Sequence, residues 1–167
     1  DNPRSHPLMA SPTFNLSASY DTTSITSGEV IADNENLAVF TKTGSWTAAS
    51  DVQAYNNTYY HTEQSNSDVT ATWSPYLLAG QYQVFTRYRA AVNRETSVPY
   101  AVTHTGGTSI VLVDQREHGG EWVSLGSYYF ATGPATVKIT FHVNDNDHDR
   151  VCADAVKFVP SGTIPVD

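Results

Sequence analysis

Four stretches of this chain hold residues able to do chemistry. In the run from Tyr55 to His61, Tyr55, Tyr59, Tyr60 and His61 flank Asn56 and Asn57. Sugar rings have apolar C–H faces that stack on aromatic rings, and their hydroxyls pair with planar polar groups. Neighbouring residues on a strand point to opposite faces. One of Tyr59 and Tyr60 is therefore expected to pack and the other to be exposed. The competing reading is a tyrosine-rich surface that binds nothing.

The second stretch is "TRYRAAVNRE", 86–95. It carries Arg87, Arg89 and Arg94, a third of the nine cations. Arg87 and Arg89 fall on one side of a strand, and guanidinium forks suit the carboxylates of acidic sugars. The alternative is ion pairing with some of the seventeen acids. In the third, "HVNDNDHDR" (142–150), Asp145, Asp147 and Asp149 alternate with Asn144, Asn146 and His148. Clustered oxygen donors suit Ca²⁺, but the EF-hand glycine and final glutamate are missing. A solvated acidic hairpin tip is the plainer reading. The fourth is "REHGGEWVSLGSYYF" (116–130). There Gly119-Gly120 turns the chain ahead of Trp122. Trp122 is expected to close one end of a core rather than to face a ligand, as are Trp46 and Trp73.

No nucleophile elbow, zinc-protease helix, P-loop or dinucleotide fingerprint is present. A lyase would need a Tyr or His base and an Arg or Gln neutraliser. Tyr100, His104 and Arg87 are the residues on offer. Cys152, the single cysteine, precludes an internal disulfide and reads as a small buried hydrophobe.

The elements that position these residues follow from pattern. The 167 residues fit one domain, and 40% hydrophobic content supports a core. A net charge of -8 with nine cations argues against nucleic acid and anionic membrane surfaces as partners. No apolar run is long enough for insertion into a membrane. From Gly28 onward, short alternating runs are broken by turn residues every ten or so positions. That is the signal of an all-β sandwich or barrel. Alternation puts Val69, Ala71 and Trp73 on one face, and Tyr82, Val84, Thr86 and Tyr88 on another, with Phe85 and Arg87 opposite. Residues 1–27 read as a linker or flanking segment with one added edge strand near 14–20. Residues 161–167 read as a tail. The first residue is Asp, so the chain is expected to be a processed form or a fragment.

Several pieces, in order, resemble one family. They are "VIADN" (30–34), "TGSW" (43–46), "ATWSPYLLAGQYQVFTRY" (71–88), "NRETSVPYAVTHTGG" (93–107), "VDQREHGGEWVSLGSYYF" (113–130) and "VCADAVKFVP" (151–160). Together they resemble the golvesin C-terminal-like domain, also described as a xanthan-lyase carbohydrate-binding-like domain. The resemblance covers 28–160 and implies an antiparallel jelly-roll β-sandwich. It further implies a secreted or cell-surface accessory module, attached to a catalytic domain and not itself catalytic. Such a module would bind polysaccharide, acidic polymers included, through exposed aromatics, Arg and Asn. Two other classes stay open: an adhesion or assembly module with no sugar site, and a small polysaccharide-cleaving enzyme.

Overall fold

The computed structural model describes residues 28–62, 66–144 and 150–162. The segment before Gly28 and residues 163–167 lie outside the described residues, so the expected linker and edge strand are not addressed. The described chain is a succession of strands with one 3₁₀ turn at Tyr55–Asn57. In order they are β1 (Val30–Asp33), β2 (Phe40–Thr43), β3 (Trp46–Ser50), β4 (Thr58–Thr62) and β5 (Ser67–Trp73). Next come β6 (Tyr76–Leu77), β7 (Gly80–Arg87), β8 (Val98–His104), β9 (Gly107–Val113) and β10 (Val123–Phe130). The last four are β11 (Gly133–Pro134), β12 (Thr136–Val143), β13 (Cys152–Ala153) and β14 (Ala155–Pro160).

All the ladders between these strands are antiparallel. One sheet runs β1-β14-β7-β10, and a five-stranded sheet runs β2-β5-β12-β8-β9. Side chains alternate across a strand, so each sheet offers one apolar face. Val84, Val156 and Phe158 from the first sheet share a core with Trp73, Val137, Ile139 and Tyr100 from the second. All seven are at most 1% exposed. Each such side chain contributes roughly 1.5–3 kcal/mol by leaving water. This is the expected all-β, antiparallel sandwich, and the predicted face assignments of β5 and β7 hold.

A third sheet, β13-β4-β3, closes one side. Its Tyr60 ring stacks on Phe40 of β2 at 5.9 Å, and Phe40 in turn lies 5.5 Å from Trp73. Polar groups inside the core are paired. The fully buried Gln115 amide donates to the Tyr100 hydroxyl (3.0 Å) and the Cys152 carbonyl (2.9 Å), and accepts from the Cys152 N–H (2.7 Å). Cys152 is buried, as expected, and burial pushes its thiol up to about 12.

Candidate functional site

The loop between β3 and β4, residues 51–57, organises the surface. Asp51 caps its own turn by accepting from the Gln53 N–H at 2.9 Å. Asn56 and Asn57 adopt φ of 49° and 62°, values Asn tolerates better than most residues. The loop then lies across one end of the outer face of the β1-β14-β7-β10 sheet. Two carboxylates receive it, one in β1 and one between β13 and β14. Asp154 accepts from the Tyr55 N–H (2.9 Å), and Asp33 accepts from the Asn56 amide (2.9 Å). Burial raises both carboxyls, Asp154 to about 8. A carboxyl of pKa 8 is mostly neutral at pH 7, which lowers the cost of enclosing it.

The arginines hold the same loop. Arg87 Nε donates to the Gln53 carbonyl at 2.9 Å, and Arg89 Nε pairs with Asp51 at 3.1 Å. That pairing, after the Gln53 backbone bond, draws the Asp51 carboxyl below its ordinary value. Arg94, expected at a ligand surface, is instead 3% exposed. Its guanidinium sits 5.9 Å over the Tyr59 ring and donates to the Arg89 carbonyl at 3.4 Å. Arg87 and Arg89 do share a side, but the Nε of each is bound to the loop. The ion-pairing alternative describes Arg89, whereas Arg87 and Arg94 bond backbone carbonyls.

Gly119 lies against this loop, and a Cβ there would come within 2.8 Å of the Ala90 nitrogen. The Gly-Gly step is therefore required by close packing, and it delivers Trp122 to the loop's flank. Trp122 is half-buried beside the outer sheet face, its ring 5.8 Å from Tyr55 and capped by Lys157 Nζ at 4.4 Å. The expectation that it closes the core is overturned. The reason is a bulge between Ser124 and Gly126 in β10, which shifts the side-chain alternation by one. Val123 and Phe130 can both face inward only because of it. Trp73 does lie in the core, and Trp46 packs against it half-buried.

On the other side of the loop, a depression of about 210 Å³ opens beside β3. It is lined by Asn34, Glu35, Ala48–Ser50, Thr58, Tyr59 and Tyr60. Tyr59 is 7% exposed and forms the floor, whereas Tyr60 is half-buried. The two tyrosines were expected to divide into one packed and one exposed, and Tyr60 is less exposed than that, because its ring is committed to Phe40. Lys42 Nζ lies 4.7 Å from the Tyr60 ring centre. Asn34 orients its amide nitrogen toward Asp33 Oδ1 (2.7 Å) and the Thr58 carbonyl (3.0 Å). The Thr58 hydroxyl is buried with no hydrogen-bond partner among the described residues. The volume falls below the ~300–1,000 Å³ of drug-sized sites, so it suits a single ring. Asn34, Glu35 and Thr58 escaped sequence reasoning because loop and strand-end residues carry no periodic signal.

The proposed lyase trio does not hold together. Tyr100 is 1% exposed, its hydroxyl takes hydrogen bonds from Gln115 and Thr86, and burial raises its pKa far above the ordinary range. His104 stacks on Tyr128 at 4.6 Å and pairs with Ser109 at 2.9 Å. Asp145, Asp147 and Asp149 lie outside the described residues. Among the described residues no group of three or more His, Cys, Asp or Glu side chains converges as a metal would need.

Known proteins are similar to this chain in sequence and fold. The chain is 39% identical over 137 residues to xanthan lyase of Bacillus sp. (strain GL1), covering 80% of this chain and 15% of the lyase. It is 30% identical over 115 residues to golvesin of Dictyostelium discoideum, covering 67% of this chain and 20% of golvesin. The chain thus spans a fifth or less of either relative. The structure of Paenibacillus xanthan lyase superposes with a TM-score of 0.73 and 37% identity, over 81% of this chain and 13% of that one. A family 35 carbohydrate binding module from Clostridium thermocellum shares the fold, with a TM-score of 0.54 and 14% identity over 78% of this chain and 98% of the module. The profile of the Golvesin C-terminal domain matches residues 30–160, nearly every described strand, and the chain belongs to that family.

Proposed function

We propose that this domain is a non-catalytic carbohydrate-binding module of a secreted or surface protein, and that the depression beside β3 takes one sugar unit of a polysaccharide. The observation that carries the reading is its kinship to part of a xanthan lyase. The depression adds a chemical basis. Tyr59 and Tyr60 line it, while Asn34 and Glu35 offer hydrogen bonds to sugar hydroxyls. Such a shallow site binds modestly, and attachment to a catalytic domain supplies the useful local concentration.

Affinity electrophoresis through gels of neutral and acidic polysaccharides tests this. Retardation is expected, without release of ultraviolet-absorbing unsaturated ends. Glu35→Ala is the diagnostic variant. It removes an exposed carboxylate at the rim, so stability should hold. Retention should nevertheless fall. Equal retention of both forms overturns the site. Repeating the gels with a chelator tests the calcium proposed for Asp145, Asp147 and Asp149.

A second reading, an interaction module, draws on β9. That strand is an edge of the five-stranded sheet, and Ile110 and Leu112 on it are 66% and 64% exposed. Concentration-dependent oligomerisation with no retention by any polymer would favour it.

A further inference from the structure

The loop covers only one end of the outer face of the β1-β14-β7-β10 sheet. Its hydrogen bonds reach the row Asp33, Ala155, Arg87, and its Tyr55 ring flanks Trp122 at 5.8 Å. The next row carries Ile31, Lys157, Phe85 and Ser124. Beyond it, Gln81 and Gln83 of β7 and Ser127 and Tyr129 of β10 are exposed on the same face. Alternate positions along a strand recur about every 7 Å, so this face offers a strip of contacts and no hole.

Lys157 is the centre of the strip. Its ammonium lies 4.4 Å from the Trp122 ring centre and 5.4 Å from Phe85, and it forms no ion pair with any described residue. A cation over aromatic rings is held in place while its charge stays available to an anion. Arg87 stands in the neighbouring row on the same face, its Nε bound to the Gln53 carbonyl. Asp33 and Asp154, at that end of the sheet, are turned into the loop contacts and are 8% and 1% exposed. On a chain of net charge -8, Lys157 thus offers a positive charge with no ion-pair partner among the described residues.

We propose that this strip is a second binding site, and that it takes a carboxylated polysaccharide. A carboxylate pairs with Lys157, a sugar ring lies against Phe85 and the edge of Trp122, and Gln81, Gln83 and Ser127 meet hydroxyls further along. The site is separate from the depression beside β3, which has Glu35 at its rim and would repel a carboxylate. The polar amides and the lone cation favour a hydrated acidic polymer over a protein partner, whose docking needs larger apolar anchors.

The test uses the chain as it stands, in gels containing polygalacturonate or the same polymer after carboxyl reduction. Polygalacturonate is expected to retard the chain, with retention falling as salt rises. Lys157→Gln should weaken that retention at least about fivefold, and Lys157→Arg should keep it within about twofold. The carboxyl-reduced polymer should not distinguish the three forms, and Glu35→Ala should not weaken polygalacturonate retention. Unaltered melting of Lys157→Gln separates loss of charge from loss of fold. No retardation by polygalacturonate overturns the proposal. So does equal retention of Lys157→Gln, or an equal loss on both polymers. Binding of an acidic protein in place of either polymer also overturns it. Failure of the Glu35→Ala test alone leaves the strip standing, because the two sites share no residue.

Discussion

Two aromatic regions sit on either side of one loop, and they differ in what their rings are free to do. Beside β3, Tyr59 packs under Arg94 and Tyr60 packs on Phe40, so the rings build a wall. Beside β10, Trp122 and Phe85 stay on an open sheet face under Lys157. The first region borrows its polarity from strand ends and a turn, with a carboxylate at its rim. The second takes it from a sheet row with a cation at its centre. The difference teaches that aromatic content alone does not locate a ligand site in a sandwich. Layer and charge sort the aromatics into wall and platform.

The largest test breaks both regions at once. Gly119→Val should unseat the 51–57 loop, since a side chain there meets the Ala90 backbone. A loss of about 3 kcal/mol in denaturant unfolding is expected, as for other overpacked sites. A loss below ~1 kcal/mol would show that the loop is not fixed by that contact.

The next test separates the loop's anchor from its rings. Asp154 is nearly fully buried, and its folded pKa of about 8 stands above the ordinary value of 3.8. Between those values the folded chain keeps a proton that the unfolded chain has lost. Stability from this group is therefore full below about pH 4 and is lost as pH rises through about 8. Asp154→Asn keeps an acceptor for the Tyr55 N–H and removes the titration. The fall in stability from pH 5 to pH 8 should shrink by something on the order of 2 kcal/mol. Parallel pH curves for the two forms would contradict a buried neutral carboxyl.

A smaller contrast compares one ring from each region. Tyr60→Ala should cost about 2 kcal/mol, because it empties a stacked contact on Phe40. Phe85→Ala should cost less than half of that, since its ring is half-exposed. Equal costs would erase the distinction between wall and platform. The smallest effect is expected from Arg89→Ala, at about 0.5 kcal/mol, because the Asp51 pair is partly solvated.

Most of the fold was legible because a period of two is a strong signal. In β7, Tyr82, Val84 and Thr86 point inward and Phe85 and Arg87 outward, as alternation alone requires. β2 went unseen. It is four residues long with three of them exposed, so no alternation marks it. Trp122 was misplaced for a related reason. Counting back from Phe130 in steps of two puts it inside, and only the bulge at Ser124/Gly126 reverses that. The signal was present in Gly126, whose φ of +108° and contact with the Tyr128 hydroxyl exclude a side chain. The site was legible in part. The tyrosine pair does line a depression, and of the two readings of the arginines, ligand face and ion pairing, Arg89 takes the second. Acceptors on Asp51 and Gln53 drew in Arg89 and Arg87, and such pairings join distant parts of the chain. No local pattern encodes them.

The lone thiol has a consequence of its own. Cys152 is wholly enclosed, its backbone is tied to Gln115, and its proton is held until about pH 12. A disulfide reagent at neutral pH can therefore reach it only in molecules whose sandwich has come apart. With no other cysteine in the chain, each reaction event times one opening. The protein carries a built-in clock for its own unfolding, readable without a label and at native conditions.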